Sequence, residues 1–333
     1  MTRDAHQLVI IGAGQSGLAA AREAQLHGLD PLVLEAREHP TGSWPDYYDS
    51  LRLFSPARFS AMPDAPFPGD PEHYPTRDEV SEYLTRYAER IGVPIRTSVR
   101  VTAVHAAEGG GFRIDTDAGD EIEAAGLVAA TGSFGNPYRP SLPGQDHFAA
   151  RVLHAADYRS PEPFTGKRVV VVGGGNSAVQ IAYDLADVAE TTIASRSPLH
   201  LVDQRPDGRD IHHRLTAGFD DLPLAWLAPL LTGTPVLDPG RYTTALADGL
   251  MDRRQMFTAF DAETLVWADG TRERVDAVIF ATGYHPSLDY LQPLGALEHG
   301  VPQHVGGIST THPGLAYTGL ELQRSFSSNT LRG

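Results

Sequence analysis

Two glycine-rich loops sit in one chain of 333 residues, Gly12-Ala13-Gly14-Gln15-Ser16-Gly17 and Gly173-Gly174-Gly175-Asn176-Ser177-Ala178. Each follows a short apolar run, residues 8–11 and 168–172, of the kind a parallel strand covered on both faces requires. Glycines in such a loop let the backbone approach a pyrophosphate, whose charge then rests on the N-terminus of the following helix. Ala178 replaces the third glycine of the second loop, a position that needs only close helix–strand packing. At the same offset from the first glycine (12 to 35, 173 to 196) stand Glu35 and Arg196. That offset marks the end of the second strand of a βαβ unit, beside the ribose of a bound dinucleotide. A carboxylate there accepts from ribose hydroxyls, whereas an arginine suits a 2′-phosphate. The pair predicts two nucleotides, FAD at the first loop and NADPH at the second.

The rest of the chain is read around these units. A helix opens near Ser16 and stops at Gly28, and residues 31–35 form the second strand. Residues 38–75 are rich in proline and aromatics and predict irregular structure over the nucleotide. Thr76-Arg77-Asp78-Glu79 is a capping box. The helix it opens carries Val80, Tyr83, Leu84, Tyr87, Ala88 and Ile91 on one face, and the tyrosines are expected in the core. Residues 99–104, 111–116 and 119–122 predict a small antiparallel sheet, and residues 126–132 a separate buried strand ending in Ala130-Thr131-Gly132. In the second unit, residues 168–172 and 191–194 are strands and 176–188 a helix. Residues 276–280 form a further strand, whose exit Ala281-Thr282-Gly283 repeats the earlier one. Residues 311–320 return to the first unit. The fold class is therefore α/β, with two Rossmann-like dinucleotide-binding domains, the NADPH domain inserted into the FAD domain. The FAD domain is expected at 1–160 and 283–333, and the NAD(P)H domain at 161–282.

Composition narrows the function. The net charge of −15 argues against nucleic acid and anionic membrane. The longest apolar-leaning stretch, residues 222–231, is interrupted by Pro223 and Pro229 and is too short for a membrane span. A strand begins within about seven residues of Met1, leaving no room for a signal peptide, so a cytoplasmic location is expected. The chain has no cysteine, which excludes disulfides, thiolate metal sites and a dithiol relay from flavin to substrate. His200, His212, His213, Asp203, Asp207 and Asp210 cluster in sequence, but their spacing matches no metal motif. They are expected to be solvated loop residues.

With these motifs in place the chain resembles, over nearly its full length, the class B flavin-dependent monooxygenases. Gly42-Ser43-Trp44 is similar to the family's turn over the flavin, and Pro66-Phe67-Pro68 with Tyr74-Pro75 to its segment before the capping-box helix. Phe148, Ala150, His154 and Tyr158 stand at the spacing of its F-x-G-x3-H-x3-Y/W motif, with Ala150 in place of glycine. Phe280 to Tyr284 matches its Phe-Ala-Thr-Gly-Tyr segment. The resemblance implies hydride transfer from NADPH to flavin, then O2 activation as a C4a-(hydro)peroxyflavin. Oxygen then passes to a soft nucleophile (sulfur, nitrogen or arsenic(III)) of a small molecule. Tyr158 in place of tryptophan argues against a ketone substrate. Phe54 stands where mammalian-type members carry an asparagine near the flavin C4a, and an apolar residue cannot donate there. This keeps open an NADPH-dependent flavin reductase or oxidase that passes electrons to a quinone, a partner protein or O2. The chain also ends at Gly333, where relatives continue into a closing helix.

The candidate cofactor-binding residues are Gly12, Gly14, Gln15, Ser16, Gly17, Glu35, Ala36, Arg37, Ser43, Trp44, Val101, Ala130, Thr131, Gly132, Gly173, Gly175, Asn176, Ser177, Ala178, Ser195, Arg196, Thr282, Gly283 and Gln323. No catalytic side chain and no metal ligand is singled out, because the flavin carries the chemistry. A homodimer is left as an open expectation.

Overall fold

In a computed structural model of the chain, which describes residues 4–222, 226, 234–325 and 327–332, two largely parallel sheets carry the architecture. The first unit starts with β1 (Asp4–Ile11), α1 (Gln15–Leu26) and β2 (Pro31–Leu34). β1 and β2 are parallel, as a βαβ crossover demands. α1 stops at His27, and Gly28 follows with φ +76°. α2 (Arg77–Ile91) opens with the expected capping box between Thr76 and Glu79 and buries the expected face, Tyr83 and Tyr87 included. Then come β3 (Ile95–Arg96), β4 (Val101–Ala106), β5 (Phe112–Thr116) and β6 (Glu121–Ala129).

β6 corrects one expectation. The stretches read as two strands, 119–122 and 126–132, are one strand that changes partner midway. Its first half pairs antiparallel with β5, its last residues pair parallel with the late strand β21 (Leu315–Tyr317), and β1 runs beside it almost throughout. Gly126 lies at the changeover, where an added Cβ would stand 3.2 Å from Leu8 Cδ1.

The second sheet is built from β7 (Arg151–His154), β8 (Arg168–Val172), β9 (Glu190–Ser195), β12 (Asp252–Gln255) and β16 (Ala277–Phe280), in the order β12-β9-β8-β16-β7. α3 (Asn176–Leu185) follows β8 and ends before the predicted residue 188, because the chain turns at Ala186 toward β9. β10 (Leu201–Asp203) and β11 (Val236–Asp238) form a parallel pair beside it. α4 (His212–Leu215) and α5 (Arg241–Ala247) flank that pair. β13 (Ala259–Asp261), β14 (Thr264–Val266) and β15 (Arg272–Arg274) make a meander over one face. The hairpins β17 (Leu297–Glu298) with β18 (Val301–Pro302), and β19 (His304–Val305) with β20 (Ile308–Ser309), precede β21.

β7 belongs to the second sheet, so the chain crosses upstream of residue 151 and not near 160. The strand expected over 311–320 is also shorter, limited to β21. Each sheet buries both faces. α1 and α2 cover one side of the first, and residues 288–296 with the β4–β5 ribbon cover the other. α3 and the β13–β15 meander do the same for the second. No helix among the described residues is long and apolar enough to cross a membrane. Most of the apolar-leaning stretch 222–231 lies outside the described residues.

Candidate functional site

The two glycine loops are built alike, contact for contact. Gly12 N–H donates to the Leu34 carbonyl at 2.8 Å, and Gly173 N–H to the Ala194 carbonyl at 3.0 Å. Ala130 N–H donates to the Ile11 carbonyl, and Ala281 N–H to the Val172 carbonyl. A Cβ on Gly12 would lie 2.6 Å from the Ala130 carbonyl oxygen, and one on Gly173 2.4 Å from that of Ala281. Both glycines have positive φ, +104° and +147°. Gly17 is closed more tightly, since its Cβ would meet the Gly12 carbonyl oxygen at 1.8 Å. In the second loop, buried Ala178 takes that place with its methyl against Gly173. Each unit thus brings a loop, a helix N-terminus and an Ala-Thr-Gly exit to the C-terminal ends of adjacent parallel strands.

The third element differs between them. Glu35 is 5% exposed; its Oε2 accepts from Ala13 N–H at 2.7 Å and its Oε1 from Arg37 N–H at 2.9 Å. It ties the end of β2 to the first loop. Arg196, at the same offset in the second unit, is exposed. Beside it Ser195 is buried, its hydroxyl bonded to the Ser197 carbonyl and accepting from Arg253 Nε at 2.9 Å. Arg253, on β12, also donates to the Ser195 carbonyl. It was missed in the sequence because β12 lies more than fifty residues downstream, and only the parallel pairing with β9 brings it there.

The remaining candidates gather around the first loop. Gly14 abuts Gly42, whose added Cβ would stand 2.8 Å from Gly14 Cα. Trp44 Nε1 donates to Gln15 Oε1 at 3.0 Å. Arg37 pairs with Asp46, and its carbonyl accepts from Ser98 N–H. Ala36 and Ser43 are half-buried, Val101 begins β4, and Gly132 has φ +62°. Thr131 donates to the Ser287 carbonyl at 2.6 Å. Ser16 touches the Gly319 turn of the C-terminal segment. Gln323 is turned inward onto the Tyr317 carbonyl and the Leu320 N–H. In the second unit, the Asn176 amide bridges Pro235 and Leu237, Ser177 follows it half-buried, and Gly175 faces Thr234. Thr282 donates to the Tyr138 carbonyl, and Gly283 is exposed. Two buried hydroxyls, Thr41 Oγ1 and Ser287 Oγ, have no hydrogen-bond partner. The glycine cradles and these unsatisfied donors fit a phosphate-rich ligand at the first loop.

The spaced motif has a structural job. His154 is fully buried; its Nε2 contacts the Gly283 carbonyl at 3.1 Å and its Nδ1 accepts from Ala156 N–H. These partners set the proton on Nε2. Burial holds its pKa below the usual histidine value, despite the Gly283 bond. Tyr158, also buried, donates to Asp184 of α3 at 2.7 Å. Burial and that carboxylate push its phenol well up. Phe148 packs on Phe260. The motif therefore ties β7 to the Gly283 turn and to α3. A run of rings, Trp44, Tyr47, Phe134 and Tyr284, links the segment after β2 to that turn.

The His and Asp residues between 200 and 213 also need correction. Asp210 and His212 are buried, 2% and 6% exposed, and not solvated. His212 Nδ1 lies 2.7 Å from Asp210 Oδ1, and Tyr74 donates to Asp210 Oδ2 at 2.6 Å. Burial alone would raise the Asp210 pKa, but the bonds from His212 and Tyr74 outweigh it and hold it below the usual carboxylate range. Phe54 stacks on His212, and its carbonyl accepts from Gln204 Nε2. Among the described residues no group of His, Asp or Glu is placed to hold a metal ion.

Residues 9–213 match the family model described as pyridine nucleotide-disulphide oxidoreductase. The chain is 31% identical to indole-3-pyruvate monooxygenase of Oryza sativa subsp. japonica, over 87% of this chain and 79% of that protein. The chain belongs to the pyridine nucleotide-disulphide oxidoreductase family, within the flavin-dependent monooxygenases, whose cofactors are FAD and NADPH. A flavin-containing monooxygenase from Stenotrophomonas maltophilia shares the fold with TM-score 0.85 and 32% identity, over 99% of this chain and 94% of that one. A double mutant of the flavin monooxygenase from the same organism gives TM-score 0.88. Bacillithiol disulfide reductase from Staphylococcus aureus, at 21% identity and TM-score 0.75, shares the fold. This chain has no cysteine with which to do dithiol chemistry.

Proposed function

We propose that this enzyme is an NADPH- and O2-dependent monooxygenase of a soft nucleophile, sulfur, nitrogen or arsenic(III), on a small molecule. The observation that carries the reading is the contact-for-contact duplication of the loops, with Glu35 one residue past the Leu34 acceptor in the first unit and Arg196 two residues past the Ala194 acceptor in the second. FAD belongs at the first loop, where Gly12, Gly14 and Gly17 admit its pyrophosphate to the N-terminus of α1 and Glu35 faces the ribose. NADPH belongs at the second, with Gly173, Gly175 and α3 taking the pyrophosphate and Arg196 the 2′-phosphate. Bound flavin supplies the redox and oxygen-activating chemistry. The chain's own part is positioning and water exclusion. Trp44 is fixed by Gln15 over the loop, and Thr131 and Ser287 close the other side. Burial, opposed by a Ser43 hydrogen bond, pushes the Tyr47 phenol up to about 12, so it stays a neutral wall of that space. The relatives named as monooxygenases support the oxygenating outcome.

Phe54 favours a second reading, a reductase or oxidase without oxygen transfer, because its side chain offers no hydrogen bond. Turnover of FAD-loaded enzyme with NADPH, 18O2 and a panel of sulfides, amines and arsenite separates the two. Label in the product supports the monooxygenase. Hydrogen peroxide equal to NADPH consumed, across the whole panel, refutes it.

A further inference from the structure

The segment after β2 meets the inserted unit across a cavity of about 120 Å3. Arg52, Phe54 and Tyr74 line it from one side, and Gln180, Arg241 and Tyr242 from the other. Two guanidiniums thus share one small space, and neither is ion-paired among the described residues. Their hydrogen bonds go to neutral groups, although Arg52 also interacts electrostatically with the Glu79 carboxylate. Arg52 donates to the Tyr74 carbonyl, and Arg241 donates to the Tyr242 hydroxyl while lying over the Tyr183 and Tyr242 rings. This is unexpected in a chain of net charge −15, where acids outnumber bases.

The nearby acids are committed elsewhere. Asp238 accepts from Gly240, Tyr242 and Thr243 N–H and from the Thr243 hydroxyl. Asp210 holds Tyr74 and His212, and Glu79 closes the α2 capping box. Of the two lining glutamines, Gln204 donates its Nε2 to the Phe54 carbonyl and keeps its Oε1 as an acceptor. Gln180 uses its Oε1 to accept from the Tyr48 hydroxyl at 2.6 Å, which leaves its amide N–H donors uncommitted. The cavity is therefore rich in donors, with two planar cationic forks and apolar walls from Leu53, Phe54, Leu237 and Pro239. Both arginines are solvent-exposed, so burial does not force a partner on them, but a planar carboxylate is the group that satisfies such forks bidentately.

We propose that Arg52 and Arg241 bind the carboxylate of the substrate, so that this enzyme acts on small organic acids carrying the soft nucleophile. Calling the ligand a substrate rests on the oxygenation reading; the anion site itself does not. The test is calorimetric titration of the FAD-loaded protein with 4-(methylthio)butanoate and with its uncharged amide, alongside NADP+, for wild type, Arg52→Gln, Arg241→Gln and Arg241→Lys. The acid is expected to bind about tenfold or more tighter than the amide. Either glutamine variant should abolish that preference, and Arg241→Lys should retain part of it. Equal binding of acid and amide to the wild type overturns the proposal. So does an Arg241→Gln protein that loses NADP+ affinity by the same factor as acid affinity, which assigns the arginines to the dinucleotide. If the acid binds with the expected arginine dependence but takes up no 18O, the oxygenation reading fails and the anion site stands.

Discussion

Glu35→Gln is nearly isosteric and removes one charge, yet the structure makes its consequence large. The carboxylate accepts two backbone N–H groups at 2.7 and 2.9 Å while almost wholly buried. Hydrogen bonds to a charged acceptor contribute roughly 1.5–3 kcal/mol each, and neutral ones about 1 kcal/mol. The amide keeps one acceptor oxygen at neutral strength and turns an NH2 toward the other N–H, whose bond is lost outright. The net loss is about 3 kcal/mol, or, against the unfolding entropy of a chain of 333 residues, a fall of roughly 4 °C in Tm. Both bonds run within the chain, to Ala13 and Arg37, so the loss is expected in the apoprotein, measured by circular-dichroism melting after flavin removal. On the proposed placement of FAD, its retention should fall further, because the ribose would lose an acceptor too. A Glu35→Gln apoprotein melting within about 1 °C of wild type would refute the argument that this side chain ties the loop to β2.

His154 has a depressed pKa in the fold, so the unfolded chain takes up its proton first as pH falls. Stability is then retained above about 6.5 and declines below it until the folded-state pKa is passed; His154→Gln should flatten that part of a Tm-against-pH curve. Tyr158→Phe leaves Asp184 without its buried donor and should cost about 2 kcal/mol in urea unfolding; a loss under about 0.5 kcal/mol would contradict the pairing. Arg196→Gln should lower the NADPH-over-NADH preference in kcat/KM by about tenfold to a hundredfold. Arg253→Gln should lower it less, by freeing the Ser195 turn; an unchanged preference in both variants would remove the 2′-phosphate from this corner.

How much of this was legible in the chain depended on range. The βαβ units were readable because strand, glycine loop and helix lie within a few turns of one another, and the α2 cap because Thr76 and Glu79 are three residues apart. β7 escaped notice as part of the second sheet: Arg151-Val152-Leu153-His154 is a short edge strand, and only its partner β16 identifies it. Gly126 reads from sequence as the start of a separate strand, yet it is where β6 trades an antiparallel neighbour for a parallel one. The Asp210–His212 pair was read as solvated because its third member, Tyr74, lies 136 residues away. Arg52 and Arg241, distant in sequence and unremarkable in composition, meet only across the fold.

All five strands of the second sheet lie in one unbroken stretch, between Arg151 and Phe280, and its first and last strands are neighbours. Entry and exit share a doorway, because the incoming residues 132–138 run antiparallel to the outgoing residues 283–287, bonded at Tyr138 to Gly283, His285 to Asn136 and Ser287 to Gly132. A module threaded this way can be cut out and exchanged at two adjacent points without rethreading the host. On the proposed placement of NADPH in this module, coenzyme preference could be swapped between relatives as a cassette while the core of the first unit, held together by β1, β2, β6 and β21, is left as it stands.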